Sequence, residues 1–305
     1  MTRPKKPFRS AKAFFNKPFV IRTAMLIGRL FPRKVGSSFA AVIGTVLGSL
    51  KRSQMVRAIR ANQYVIHNGD LDAKTLRKLP KAVFRSAAKC IFDYFYFLSR
   101  PEKLLNVVKF SPEAEAAFER VQQNKPCVIA CPHLSNFDLM GYALALKGID
   151  VQILSYPNPN GTYKLQNQIR ESCGLNVTPM SFSAFREARL RLRDGGSILT
   201  GLDRPVGTDE PEKHRPVFFG YPSNLPVAYV RMAKEAQAPV IIMAVAYQPD
   251  GTYLLEASQP IWIDSGENEV LDNTERILST AGEFIMRYHK QWAMFYPIWP
   301  EFLGV

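Results

Sequence analysis

From about residue 105 onward, two hydrophobic patterns alternate along the chain. Short β-branched or apolar runs occupy 106–110, 127–131, 151–154, 175–178, 197–201, 217–220, 240–246 and 253–256. Between them lie segments whose apolar residues recur at helical spacing: 113–123, 137–147, 163–173, 183–193, 226–236 and 270–291. The first set predicts strands and the second helices. Runs 128–131 and 240–246 are almost wholly apolar, as in strands covered on both faces. Such alternation predicts an α/β sheet with helices on either side. Residues 19–100 lack the alternation and read as helical. Within them, 73–99 carries a broad apolar face of Phe84, Ile91, Phe92, Tyr94, Phe95 and Phe97, suited to a buried or a membrane-facing helix. The expected organisation is a tail at 1–18, a helical membrane-associating region at 19–100 and an α/β domain at 101–305, with 19–305 forming one compact unit. No internal repeat or low-complexity segment is present.

Charge changes the picture at one end only. The 305 residues carry a formal net charge of +14, and the 14 Lys and Arg of residues 1–60 precede the first acid, Asp70. The other 245 residues hold 26 basic and 26 acidic side chains, so the body is neutral and the N-terminal segment basic. Such a segment seeks polyanions. Its cations are interleaved with aromatic and apolar residues over 19–31, and 35–50 is uncharged, a mixture suited to a membrane interface. The expected partner is an anionic membrane surface contacted through residues 1–60. A packed helical hairpin with a solvated basic rim is the plainer alternative. No nucleic acid partner is expected, since no zinc-finger, helix-turn-helix or basic-aromatic strand signature appears. No run of 18 uncharged apolar residues marks a membrane span. Arg22 and Arg29 interrupt any signal-like stretch, so the chain reads as uncleaved and facing the cytoplasm. With 47% hydrophobic residues the body can bury a core, and the four cysteines show no disulfide spacing.

The strongest chemical signal is C-V-I-A-C-P-H-L-S-N-F-D-L-M at 127–140. A buried strand ends at Pro132, His133 follows in a turn, and a helix starts near Asn136. Strand-to-helix junctions at the carboxyl edge of an α/β sheet are where ligands bind. His133 and Asp138 form His-x4-Asp. On one regular helix they would point about 140° apart. With His133 in the loop and Asp138 in the first turn they can meet, and the carboxylate would fix the imidazole tautomer and free the other nitrogen as a base. Ser135-x-x-Asp138 also fits a helix cap. Cys127, Cys131 and His133 have ligand-like spacing, but the cysteines lie on a core strand and no fourth ligand is evident, so no metal is expected. A serine nucleophile at Ser135 lacks its strained elbow motif. Asp203 and Arg204 end another run at the sheet edge, as a headgroup clamp, a second partner for His133, or a simple turn. Loop 205–216 reads as a lid or an exposed connection, with His214 solvated; His67 and His289 have no evident partners.

These residues resemble the bacterial lipid A late acyltransferases and the related mycobacterial phosphatidylinositol mannoside acyltransferases, within the wider His-x4-Asp glycerolipid acyltransferase group. The resemblance spans about residues 18–300. It rests on Arg-Ala-Asn-Gln at 60–63, PCVIACPHLSNFDL, the helix ending at Arg170, LTGLDRP, and VFFGYPSNLPVAYVRMAKEAQAPVIIMA. It implies a mixed central sheet flanked by helices on both faces. It also implies transfer of a fatty acyl group from a thioester donor, acyl-CoA or acyl carrier protein, to a hydroxyl of a membrane glycolipid or lysophospholipid. The reaction would run at the cytoplasmic face of the plasma membrane, without a metal or redox cofactor. His133 would be the general base and Asp138 its orienting partner. Asn136, Arg170, Asp203, Arg204, Phe218, Phe219 and Gly220 would contact substrate.

The implied chemistry is coherent. A sugar or glycerol hydroxyl needs a base to attack a thioester. The developing oxyanion needs donors, which backbone N–H groups at the Asn136 helix start or Arg170 could supply, at about 3 kcal/mol each. Phe137, Leu139 and Met140 are candidate linings for the acyl chain. Asp203-Arg204-Pro205 departs from the Asp-x-Asp expected of the lipid A branch, which shifts weight toward another glycolipid or phospholipid acceptor. Lipid A late acylation itself, a thioesterase, and a non-catalytic lipid- or polyanion-binding protein are the alternatives.

Overall fold

A computed structural model describes residues 23, 26 and 28–305, apart from 158, 160, 208–210, 212 and 213. The basic tail at 1–18, most of 19–31 and part of loop 205–216 therefore lie outside the described residues. The helical region comprises α1 (Arg33–Leu47), α2 (Gln54–Ile66), α3 (Ala73–Leu98) and the short α4 (Pro101–Leu104). Then come β1 (Val108–Phe110), α5 (Pro112–Gln122), β2 (Val128–Cys131), α6 (Phe137–Leu146), β3 (Val151–Ser155), α7 (Thr162–Ser172) and β4 (Asn176–Pro179). α8 (Phe182–Arg193), β5 (Ser197–Gly201), β6 (Val217–Phe218), β7 (Tyr221–Pro222), α9 (Ala228–Glu235), β8 (Val240–Tyr247), β9 (Tyr253–Ala257) and α10 (Glu269–Arg287) complete the order. Local chemistry sets several starts. Asp72 accepts from the Lys74 and Thr75 amides at α3, and Ser181 from Ala184 at α8. At α5, Ser111 accepts from Ala114, with Pro112 in the first turn.

Among the described residues, seven strands form one mixed sheet in the order β1-β9-β8-β2-β5-β3-β4. β2 is parallel to both β5 and β8, β3 is parallel to β4 and β5, and β9 runs antiparallel to β8. Side chains alternate between two cores. Val128 and Ala130 of β2 join Val240 and Ile242 of β8 on one face, under α8, α9 and α10. Ile129 and Cys131 join Ile241 and Met243 on the other, against α3, α5 and α6. That two-sided burial is what the uninterrupted apolar runs predicted.

Run 217–220 is the exception among the predicted strands. It folds into a separate two-stranded hairpin, β6–β7, whose turn residues Phe219 and Gly220 have φ +50° and +81°. Two successive positive φ values match the twist of a tight hairpin. Its brevity had hidden this, since four apolar residues fit a central strand equally well.

α3 is mainly a core helix: Phe84, Phe92, Tyr94, Phe95 and Phe97 are buried and only Ile91 of the predicted face is exposed. A buried carboxylate ties the helices to the sheet. Asp93 of α3 accepts two hydrogen bonds from Arg33 of α1, at 3.0 and 2.6 Å, and one from the Tyr253 hydroxyl of β9 at 2.7 Å. Arg33 also donates to the Gly251 carbonyl.

Candidate active site

The site follows from strand register. β2 and β5 pair in parallel with a constant offset, Val128 opposite Ile198 through Cys131 opposite Gly201. Two residues further along each chain stand His133 and Asp203, with the same offset, past the carboxyl edge of the sheet. They meet there. His133 Nδ1 lies 2.5 Å from Asp203 Oδ1, and the His133 backbone N–H donates to Oδ2 at 2.9 Å. The Trp292 indole N–H donates to the same Oδ2 at 2.7 Å. Asp203 is fully buried, and a buried carboxylate is tolerable when donors surround it.

The His133 loop is held from the other side by the segment after α10. The Ala293 amide donates to the His133 carbonyl and the Ser135 amide to the Gln291 carbonyl. Gly201 lets the ring lie close: a Cβ there would come 3.1 Å from His133 Cε1. Nδ1 is engaged, and Nε2 has no hydrogen-bond partner among the described residues. About a quarter of the side chain remains exposed.

His133 borders a cavity of about 90 Å³. Phe137, Met140, Ile153, Leu175 and Leu199 give it an apolar wall, and Asp138, Tyr163 and Arg170 a polar one. The Phe137 ring meets the imidazole edge-on at 5.0 Å. Asp138 and Arg170 form an ion pair, Nε to Oδ1 2.8 Å and Nη2 to Oδ1 2.6 Å. Arg170 further donates to Asn167, which donates to Ser155 Oγ. Burial works against the Arg170 charge, but Asp138 and Tyr163 outweigh it and hold the guanidinium above its usual pKa. Burial and the neighbouring Asp203 push the Cys131 thiol up, which keeps it protonated.

A family model described as bacterial lipid A biosynthesis acyltransferase matches residues 4–301. The chain belongs to that family. A comparison with curated proteins gave no match. As a member of the lipid A biosynthesis acyltransferases the protein is an acyltransferase, which sets aside the non-catalytic binding protein. Within this acyltransferase several expected contacts take a different form. Asp203, not Asp138, accepts from the His133 ring, because register carries Asp203 to Nδ1 while α6 turns Asp138 toward α7. Ser135 does not cap α6; it adopts φ +47° and its hydroxyl accepts from the Tyr247 amide. Asn136 is the cap, accepting from Leu139 and donating to the Cys90 carbonyl; it is buried and does not border the cavity. Phe218 and Phe219 pack on Trp299 instead of the cavity, and Gly220 turns their hairpin. Leu139 is core, while Phe137 and Met140 do line the space.

Arg204 stands beside the site, its guanidinium 4.2 Å from the Tyr156 ring centroid and 4.6 Å from that of Tyr296. The same cation lies 6.0 Å from the ring of Tyr163, which borders the cavity. Trp292, Tyr163 and Asn167 were not legible beforehand: a lone Trp or Tyr at a distant position carries no spacing signal. His67 and His289 do have partners, each other at 4.7 Å between ring centroids and Gln63 between them.

Proposed function

We propose that this acyltransferase moves a fatty acyl group from acyl-CoA or acyl carrier protein to a hydroxyl of a membrane glycolipid or lysophospholipid, with His133 as general base. The observation that carries the reading is an imidazole clamped at Nδ1 by a buried carboxylate, with Nε2 free beside an apolar cavity. Asp203 accepts the Nδ1 proton and so leaves the Nε2 lone pair available. The acceptor oxygen bonds to the thioester carbonyl carbon as its proton passes to Nε2. The C–S bond then breaks, the carbonyl reforms, and the departing thiolate takes the proton back from the imidazolium. Arg170, held by Asp138, offers fixed positive charge at the cavity wall for the carbonyl oxyanion or a substrate phosphate. Phe137, Met140 and Leu199 receive the reacting end of the acyl chain. No metal or redox step enters this chemistry. The reaction takes place at the cytoplasmic face of the plasma (inner) membrane, with residues 1–60 against anionic lipid.

The test is direct. The protein is incubated with radiolabelled acyl-CoA or acyl carrier protein and a membrane lipid extract, and lipids are resolved by chromatography. The wild type forms a new labelled lipid, and His133→Ala loses about 10³-fold in rate while its circular dichroism is unchanged. Full activity in that variant would remove His133 as the base. Label released mainly as free fatty acid would make water the acceptor and the protein a thioesterase.

A further inference from the structure

α1 is apolar on two faces. Its inner face is small: Gly36, Ser37, Ala41 and Gly44 are buried. A Cβ on Gly44 would come 2.3 Å from the Phe84 carbonyl oxygen, and one on Gly48 2.6 Å from Lys81 Cα, so α1 lies backbone-close on α3. The bulky residues face outward. Val35, Phe39, Val42, Ile43 and Val46 are between 44% and 61% exposed and recur at helical spacing, one continuous stripe. A helix packed only against protein in water would turn that stripe inward. Its 15 residues span about 22 Å, too short for the ~30 Å of a bilayer core. Among the described residues no helix is long and apolar enough to cross a membrane. The stripe suits a helix lying in the interface plane.

Where α1 ends, a cavity of about 380 Å³ opens among the α1–α2 turn, α2 and α3. Six cations border it, Lys51, Arg60, Lys74, Arg77, Lys78 and Lys81, with no carboxylate among its described lining residues. Asp72, the acid nearest in sequence to the α3 cations, is engaged by the Lys74 and Thr75 amides and the Thr75 hydroxyl. The Arg60 Nε is buried with no hydrogen-bond partner among the described residues. Asp72 also attracts Lys78, but one exposed carboxylate leaves six cations largely unbalanced; they repel one another, and an anion relieves that repulsion. An acidic protein would answer the charge but not the bare stripe. Gly48 and Ser49, in the cavity wall, directly follow the end of α1, so the cationic cavity adjoins the end of the helix that carries the apolar stripe.

We propose that this cavity binds the phosphate headgroup of an anionic membrane phospholipid while the outer face of α1 rests among the acyl chains. The site deepens the membrane contact proposed above and does not depend on the acyl-transfer chemistry. The full-length protein is floated with vesicles of phosphatidylcholine alone or mixed with phosphatidylglycerol. Lys74→Gln/Lys78→Gln/Lys81→Gln lowers partitioning onto the mixed vesicles about fivefold per lysine, the equivalent of ~1 kcal/mol for each cation at an anionic surface. It leaves binding to phosphatidylcholine unchanged. Lys125→Gln/Arg186→Gln/Arg193→Gln, a charge-matched control away from the cavity, changes neither. Phe39→Ser/Val42→Ser weakens binding to both vesicles. An equal loss in the control, or wild-type affinity in the triple lysine variant, would overturn the site. So would unchanged vesicle binding with lost retention of a soluble acidic carrier protein, which would give the cavity to a protein partner. His133→Ala floats like wild type whether or not the acyl-transfer reading holds, which separates failure of the two.

Discussion

Asp203 meets the His133 ring and Asp138 lines the cavity that His133 borders, and their surroundings differ. Asp203 is fully buried and satisfied by three donors, two from His133 and one from Trp292. Asp138 keeps about a quarter of its side chain exposed and faces Arg170. Removing the Asp203 charge leaves the fold's shape but not the imidazole tautomer. Asp203→Asn is therefore expected to lower kcat by about 10³- to 10⁴-fold with little change in KM. Trp292→Phe removes one hydrogen bond to a charged oxygen and costs about tenfold, equivalent to ~1.5 kcal/mol. Asp138→Asn frees Arg170 and acts mainly on KM. Steady-state kinetics on the three variants check the order, and a larger kcat loss for Asp138→Asn than for Asp203→Asn would return the orienting role to the His-x4-Asp spacing. That spacing pointed to the loop and to His133 as the candidate base. It could not show which carboxylate meets the ring, because which strand lies beside β2 is decided by long-range pairing over 70 residues.

At the scale of elements, period and turn chemistry were legible while contacts between distant elements were not. β5 was readable to the residue, and most helices to within a residue or two, because their apolar positions repeat. Nothing in the periodicity of α3 revealed that Asp93 joins α1 to β9. Asp93→Ala would strand the partly buried Arg33 charge and the Tyr253 hydroxyl, and is expected to destabilise the fold by about 3–5 kcal/mol, seen as a lower midpoint in urea. The contact between α2 and the turn at 289–291 was likewise invisible. It has a pH signature. Burial, His67 and Lys290 lower the His289 pKa from 6.5 to about 4. The folded state then binds fewer protons than the unfolded one between those values, so the contribution is complete above about pH 6.5 and fades as pH falls toward 4. Because His289 is only partly buried, solvent screening limits this to about 1–2 kcal/mol. His289→Gln should lose less stability than the wild type between pH 6.5 and 4 in urea titrations. Equal losses would remove His289 as the cause.

Over the whole molecule, charge arithmetic along the chain and charge in space disagree instructively. The sequence is basic to residue 60 and balanced after it. The fold brings Lys74, Arg77, Lys78 and Lys81 of α3 back beside Lys51 and Arg60, so the basic end extends beyond the segment that counting marked. The active cavity lies instead at the carboxyl edge of β2 and β5, bordered by apolar walls and the Asp138–Arg170 pair. The proposed membrane contact and the proposed chemistry thus use different residues, and a change in ionic strength should separate them. Raising salt from ~0.01 M to ~0.15 M shortens the screening length from ~30 to ~8 Å, which weakens attraction between the basic end and anionic lipid but leaves the buried Asp203 contacts almost untouched. With acceptor lipid in vesicles containing phosphatidylglycerol, KM for the acceptor should rise several-fold over that range while kcat stays constant. With the same acceptor in phosphatidylcholine alone, both should be insensitive to salt. A fall in kcat of the same size on neutral and anionic vesicles would show that salt acts on the catalytic groups, and that the basic end does not bring the enzyme to its substrate.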